Sequence, residues 1–244
     1  IQNHMRGIFK IICIWISFWI PSQLNGQDAA ADYLEPSSDW MASTIDARKI
    51  EGFEIKDNLA IRGLVFRLGN GAYGCFDTDL LRWSVVWHGD FLSYRSMSTQ
   101  SYFQVGKKNS GGQVALCAPT GNILTATGLY PGGFDEIIWL ADPREKGPDK
   151  RDLGRGPIAS DSGKWISVNQ TLTGPELEYK IGDTLIHERS QMLQQQSNID
   201  WIRLLEIEPH DKDLVIVLGS FPNHQIQLGS NRGAAGKAIL TETD

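Results

Sequence analysis

The sequence predicts an all-β chain, mostly antiparallel: a β-sandwich with long irregular loops and little helix. Three observations carry this expectation. Apolar residues alternate at every second position in short runs, as at Leu64, Phe66 and Leu68, which is the period of a half-buried strand. Turn dipeptides separate such runs, notably Asn70-Gly71 and Gly182-Asp183, and both tolerate the positive φ of tight hairpins. Helix caps followed by a 3.6-residue apolar period are nearly absent. Strands at close spacing without crossover helices are most simply a sandwich, and no repeat of propeller length is present.

The elements follow in chain order. From Met5 the sequence reads MRGIFKIICIWISFWIPSQLNGQ: Arg6 and Lys10, an apolar run to Ile20, then Pro21 and small residues before Gln27. That is the layout of a secretory signal peptide over residues 1–26, with residues 1–4 lying upstream of Met5, and it is too short to favour a spanning helix. A retained anchor is the other reading of the same run. Cys13 lies inside it without a lipobox, which argues against a lipoprotein. The expectation is therefore a secreted or periplasmic protein with no membrane association after cleavage. Residues 27–58 form a polar lead-in around EPSSDW, with a short helix expected near 40–45. The sandwich domain spans 59–228, with strands over 59–68, 72–76, 82–87 and 113–117, and again within 164–172, 177–190, 201–209 and 213–220. Residues 88–112 are rich in Ser, Gly and Gln and loop out. Residues 119–162 are rich in Pro and Gly, with FDEIIWLAD as their one ordered-looking piece; long loops of this kind are functional or disordered. Residues 229–244 are a C-terminal tail, and the chain is either a stand-alone module or part of a longer protein.

One motif invites a different reading. Gly69, Gly71 and Gly74 spell G-x-G-x-x-G with Asp90 further on, the pattern of a dinucleotide-binding turn. Such a turn must launch a helix whose N-terminus meets the pyrophosphate. Here Tyr73, Cys75 and Phe76 read as a returning strand with no cap, so Asn70-Gly71 predicts a hairpin. Gly74 inside that strand marks a bulge or a close backbone approach.

Charge and cysteine content narrow the function further. The 244 residues carry a net charge of −6, and removing residues 1–26 takes away Arg6 and Lys10, leaving −8. With no Lys/Arg-rich tract, nucleic acid is not an expected partner. Cys75 and Cys117 remain outside the apolar run and form either one disulfide or two separate buried thiols. No C-x-x-C-H is present, so no haem is attached to this chain, and no cofactor is expected. His88, His187 and His210 have no metal-ligand spacing, no serine sits in a G-x-S-x-G elbow, and neither cysteine has a nucleophile's context.

The best candidate site is FDTDLLRW. Asp77 and Asp79, two apart on an extended chain, are expected on one face, where they could hold a cation or sugar hydroxyls. The plainer reading is that they cap the turn after the strand with Arg82 as an ion-pair partner. Trp83 and Trp87 are four apart, hence expected on the same face, and with Tyr94 they would form a platform for a sugar ring; the plainer reading is core. Trp139, in the long loop, is a further contact candidate, whereas Trp165 and Trp201 read as core. Glycosidase chemistry would need two carboxylates facing each other across a cleft, and Asp77, Asp79, Asp90, Asp135 and Glu136 are the residues that could supply them.

The run RGLVFRLGNGAYGCFDTDLLRWSVVWHGDFL resembles the hallmark segment of a secreted bacterial family, domain of unknown function 6797, whose members read RG, then LG, then CFDTDLLR, followed by Trp and Gly-x-Phe-Leu. LEYKIGDTLIHE is similar to a hairpin of the same family. The resemblance covers about residues 39 to 220. It implies an N-terminal module of large exported proteins of planctomycete and verrucomicrobial type, often followed by a sugar-dehydrogenase-like propeller and a haem-binding segment, neither of which is in this sequence. The expected function is a non-catalytic module that binds carbohydrate or packs on a partner domain of an exported oxidoreductase. A carbohydrate-active enzyme using acidic residues near Asp77 and Asp79 is the first alternative, and a purely structural domain the second.

Overall fold

A computed structural model describes residues 10–19, 40–48, 50, 58–92, 105, 113–118, 125–126, 156–195, 198–210, 214–215 and 225–231. Among these the chain is all strand and turn, and every strand pairing is antiparallel. One sheet contains β2 (Trp40–Asp46), β3 (Leu59–Gly69), β4 (Ala72–Asp77), β5 (Arg82–His88) and β6 (Val114–Cys117), in that order. The other runs β13-β1-β11-β10-β9-β8, made of β1 (Lys10–Trp19), β8 (Gly163–Thr171), β9 (Gly174–Ile181), β10 (Thr184–Gln195), β11 (Asn198–Ile207) and β13 (Gln225–Asn231). A small ribbon joins β7 (Thr125–Ala126) to β12 (Leu214–Val215).

The two predicted turns form as expected. Asn70 and Gly71 both take positive φ, 52° and 69°, and connect β3 to β4, so the G-x-G-x-x-G pattern is a hairpin and no helix follows it. The Asn70 side chain also donates to the Met192 carbonyl at 3.0 Å, tying the hairpin tip to the opposite sheet. Gly182, with φ 56°, turns β9 into β10. Gly74 marks a close approach: a Cβ there would lie 2.8 Å from Cζ3 of Trp83 and 2.9 Å from Cδ1 of Leu68.

One expectation about the N-terminal region meets a different geometry. The helix expected near 40–45 is strand β2, whose residues pair with β3 from Trp40↔Phe66 to Asp46↔Leu59. Thr44 donates its hydroxyl to the Ile61 carbonyl at 3.0 Å where the register shifts. Tertiary pairing, together with the β-branched Thr44 and Ile45, outweighs local helix preference. The apolar run read as a signal peptide is extended here: Lys10–Trp19 is β1, between β11 and β13.

The sheets face each other across one core. Phe66, Leu68, Phe76, Trp83 and Val86 from the first sheet meet Leu177, Tyr179, Ile186, Met192, Trp201 and Leu205 from the second. The first sheet is buried on its other face too. There Val65, Cys75, Val85 and Trp87 pack with Ile45, Ala47, Ile50, Phe91, Leu92 and Val105. A strand buried on both faces reads as apolar without alternation, and β5 is buried from Arg82 to Trp87.

Because the space above Gly74 is filled by the Trp83 ring, Gly74→Ala should lower unfolding stability by about 1–3 kcal/mol, the usual cost of an extra methyl in a packed core. Urea denaturation checks it; a midpoint equal to that of the unaltered protein would show that the ring has room to move.

Candidate functional site

The CFDTDLLRW segment builds the corner between β4 and β5. Asp77, fully buried at the end of β4, accepts the backbone N–H of Asp79 at 2.9 Å and of Leu80 at 3.3 Å through Oδ1. This is an Asx-type turn, in which a short carboxylate replaces a missing backbone acceptor. Thr78 donates both its N–H and its hydroxyl to the Arg62 carbonyl, at 3.1 and 2.8 Å. The Asp79 carboxylate pairs with the Arg62 guanidinium, and its carbonyl accepts the Ile158 N–H at 3.0 Å. Leu81 takes a positive φ of 54° to complete the corner. Asp77 and Arg82 stand opposite each other in the β4–β5 register, both buried. The two aspartates do not share the face of an extended strand, because Asp77 ends β4 and Asp79 lies in the turn. Of the plainer sequence reading, the cap on the turn is found at Asp77, and Asp79 takes Arg62 as an ion-pair partner.

The tryptophan pair is divided between the two faces of the sheet. A register shift makes Ser84 an extra residue on β5, with Cys75 opposite Val85 and Phe76 opposite Trp83. A bulge reverses the alternation, so four-residue spacing no longer means a common face. Trp83 points into the inter-sheet core and Trp87 to the outer one, at 1% and 0% exposure. The expected sugar platform is therefore absent at these two residues. The bulge is held from a distance: Asn58, itself buried, donates to the Ser84 carbonyl at 2.9 Å and accepts the Ser84 hydroxyl at 2.8 Å. On the outer side the Trp87 indole N–H donates to the Asp90 carbonyl at 3.0 Å, and the Gln113 amide donates to the same carbonyl at 3.0 Å and to that of Phe91 at 3.1 Å. Trp165 and Trp201 lie against or within the core, as expected. Tyr94, Asp135, Glu136 and Trp139 lie outside the described residues.

The strongest polar constellation is one that sequence reading passes over. Glu188, on the inner face of β10 and fully buried, accepts four hydrogen bonds. Oε1 takes the Trp83 indole N–H at 2.7 Å and Arg203 Nε at 2.6 Å; Oε2 takes the Tyr179 hydroxyl at 2.7 Å and Arg203 Nη2 at 3.1 Å. Beside it the Trp201 indole N–H donates to the Ser190 hydroxyl at 2.6 Å, and the Trp83 and Trp201 rings meet edge to face at 5.6 Å. The signal was available in outline: Glu188 and Ser190 share a strand parity with Ile186 and Met192, and Arg203 shares one with Trp201 and Leu205. Burial works against the Arg203 charge, yet Glu188 more than offsets it and holds the guanidinium above its ordinary pKa. Burial first, then the Glu188 charge, pushes the Tyr179 phenol well above its usual value.

Cys75 and Cys117 are separate buried thiols, the second of the two sequence alternatives. They sit on β4 and β6 with β5 between them, about 9–10 Å apart by strand spacing, beyond disulfide reach. They also belong to different cores. Burial raises both thiols, with the Asp77 charge adding to the effect at Cys75 and Arg203 opposing it at Cys117. Among the described residues no group of His, Cys, Asp and Glu is arranged to hold a metal, and no helix is long and apolar enough to cross a membrane.

The fold and this constellation define an all-β sandwich whose interior is organised by a satisfied ion pair. Residues 74–188, from β4 into β10, match the family model "Domain of unknown function (DUF6797)", which supports membership of that family. No curated protein and no solved structure matches the chain.

Ionisation of the buried groups sets a pH limit. The folded-state pKa values of Cys75, Cys117 and Tyr179 are raised, so the stability they contribute is complete below the ordinary values of 9.0 and 10.0 and is lost as pH rises above them. The urea midpoint should hold steady from neutral pH to pH 9.0 and fall steadily beyond it, and the fall should be shallower in Tyr179→Phe. A midpoint unchanged up to pH 11 would contradict this.

Proposed function

We propose that this chain is a non-catalytic, exported module whose work is packing: a rigid β-sandwich that assembles with a partner domain of an exported oxidoreductase. One observation carries the reading. The described side chains with the most chemistry are committed to the sandwich itself, Asp77 and Asp79 to the β4–β5 corner and Glu188, Arg203, Trp83 and Tyr179 to the core. A glycosidase needs carboxylates available across a cleft, whereas Asp77 and Asp79 are engaged by backbone N–H groups and Arg62. A sugar platform needs an exposed ring face, and Trp83 and Trp87 offer none. The packing version of the binding-module reading is therefore favoured over the carbohydrate version, in line with the module context that the family resemblance implies.

Protein recovered from the periplasm should co-elute in fixed stoichiometry with a haem-containing exported oxidoreductase of the same organism, read by haem absorbance across a size-exclusion profile. It should be silent on a glycan array. Glycan retention abolished by Trp139→Ala would replace packing with carbohydrate binding. Polysaccharide turnover abolished by Asp79→Asn, with near-ultraviolet circular dichroism unchanged, would replace it with catalysis.

A further inference from the structure

Strand β11 has an unusual neighbour. Along all ten residues, Asn198 to Ile207, it pairs with β10 on one side and with β1 on the other, without a register shift on either. Strand β13 is joined to the sheet through β1, over Ile11↔Asn231 to Ser17↔Gln225. The residues that form β1 are those that read from the sequence as the apolar core of a signal peptide. Their removal would free the ladder groups of every second residue along the ten of β11, those that point away from β10, and release β13.

Strand β11 is not built to be an edge. Sheets protect their edges with bulges, prolines, lysines or short strands. Strand β8, at one edge of the same sheet, carries Lys164 and a bulge at Ile166, and β2, an edge of the other sheet, meets a register shift against β3. Strand β11 has neither proline nor lysine, pairs continuously, and buries Ile199, Trp201, Ile202, Leu205 and Ile207. Uncovered, it would be a long unbulged edge, apolar at six of its ten residues and charged only at Asp200, Arg203 and Glu206, of which Asp200 and Arg203 are buried.

We propose that β11 is a strand-accepting edge, filled by residues 10–19 in the unprocessed chain and, once these are removed, by one extended apolar strand of the partner, running antiparallel to β11. This rests on the packing reading above and names the surface that does the packing. The mode is strand addition, in which main-chain hydrogen bonds supply affinity and alternate side chains supply selectivity. The occupant is specified by what fills the edge now: a ten-residue strand, uncharged after its first residue, KIICIWISFW.

The test uses the full chain. Cys13 is the Cα partner of Leu204, and opposed residues of an antiparallel pair lie within disulfide range. Mild oxidation of Leu204→Cys should therefore link Cys13 to position 204 in a peptide map, and absence of the link would overturn the proposal. A second chain carrying Ile14→Pro and Ile16→Pro removes the β1 ladder. The alternate amides of 198–207 that point to β1 should exchange roughly tenfold faster or more, while those that donate to β10 and those in 72–88 stay protected. A synthetic peptide of residues 10–19 flanked by lysines should restore protection, with 1:1 uptake seen by fluorescence anisotropy. Protection of the β1-facing amides of 198–207 without peptide, either in a monomer closed by β13 or in a dimer of doubled mass, would overturn the proposal. So would failure of the peptide to protect them, or loss of protection at 72–88 as well, which would make β1 a fixed part of the fold. Peptide uptake without oxidoreductase co-elution would sink the packing reading alone. Co-elution without peptide uptake would sink this edge alone.

Discussion

The Glu188–Arg203 ion pair is the constraint around which the sandwich is arranged. Removing two charges from water costs several kcal/mol per ion, and mutual attraction offsets this only when the remaining hydrogen-bonding capacity is filled. Here it is filled: the carboxylate receives four donors from three other residues. Those residues lie on β5, β9 and β11, so a single side chain on β10 draws on both sheets. The bond from Trp83 is the one that crosses between sheets. It fixes how far one slides over the other, which apolar contacts alone leave loose. A buried carboxylate accepts few alternative arrangements, so here it specifies the packing as well as stabilising it.

A second constraint acts within the first sheet. The bulge at Ser84 turns β5 into a strand that serves two cores, Trp83 and Val86 on one side and Val85 and Trp87 on the other. A bulged residue leaves its ladder groups unpaired, and Asn58 answers both the carbonyl and the hydroxyl of Ser84. Asn58 also accepts the Ala47 N–H at 2.9 Å, which places the segment that covers the outer core. The β4–β5 corner next to the bulge is held by Asp77, Thr78 and Asp79. The FDTD run is thus accounted for by turn geometry, with Asp77, Thr78 and Asp79 answering backbone groups or a neighbouring charge.

What could be read from the sequence was what is local. Period-2 runs gave the strands β3 and β4 to within a residue and the β9–β10 hairpin around its turn, short by three residues at its start and five at its end. Asn70-Gly71 and Gly182-Asp183 gave the turns, because the positive φ taken at Asn70, Gly71 and Gly182 is a short-range property. The faces of Trp83 and Trp87 were not readable, since parity fails at Ser84 for a reason located at Asn58, 26 residues away. The strand at 40–46 escaped because its support is tertiary, pairing with β3 and burial of Ile45 in the outer core. Separation of Cys75 from Cys117 depends on the strand that lies between them. Glu188 and Arg203 were visible as opposite charges on apolar faces of successive strands, but their meeting required knowing that both faces look inward.

The most direct measurement is a double-mutant cycle on the ion pair, with Glu188→Leu, Arg203→Met and both together, followed by urea denaturation at neutral pH. Each single change strands a buried group without its partners and should cost about 3–5 kcal/mol, and the double should be markedly more stable than the sum of the two implies. Two single variants within 1 kcal/mol of the unaltered protein, or strictly additive losses, would contradict an interior organised by this pair.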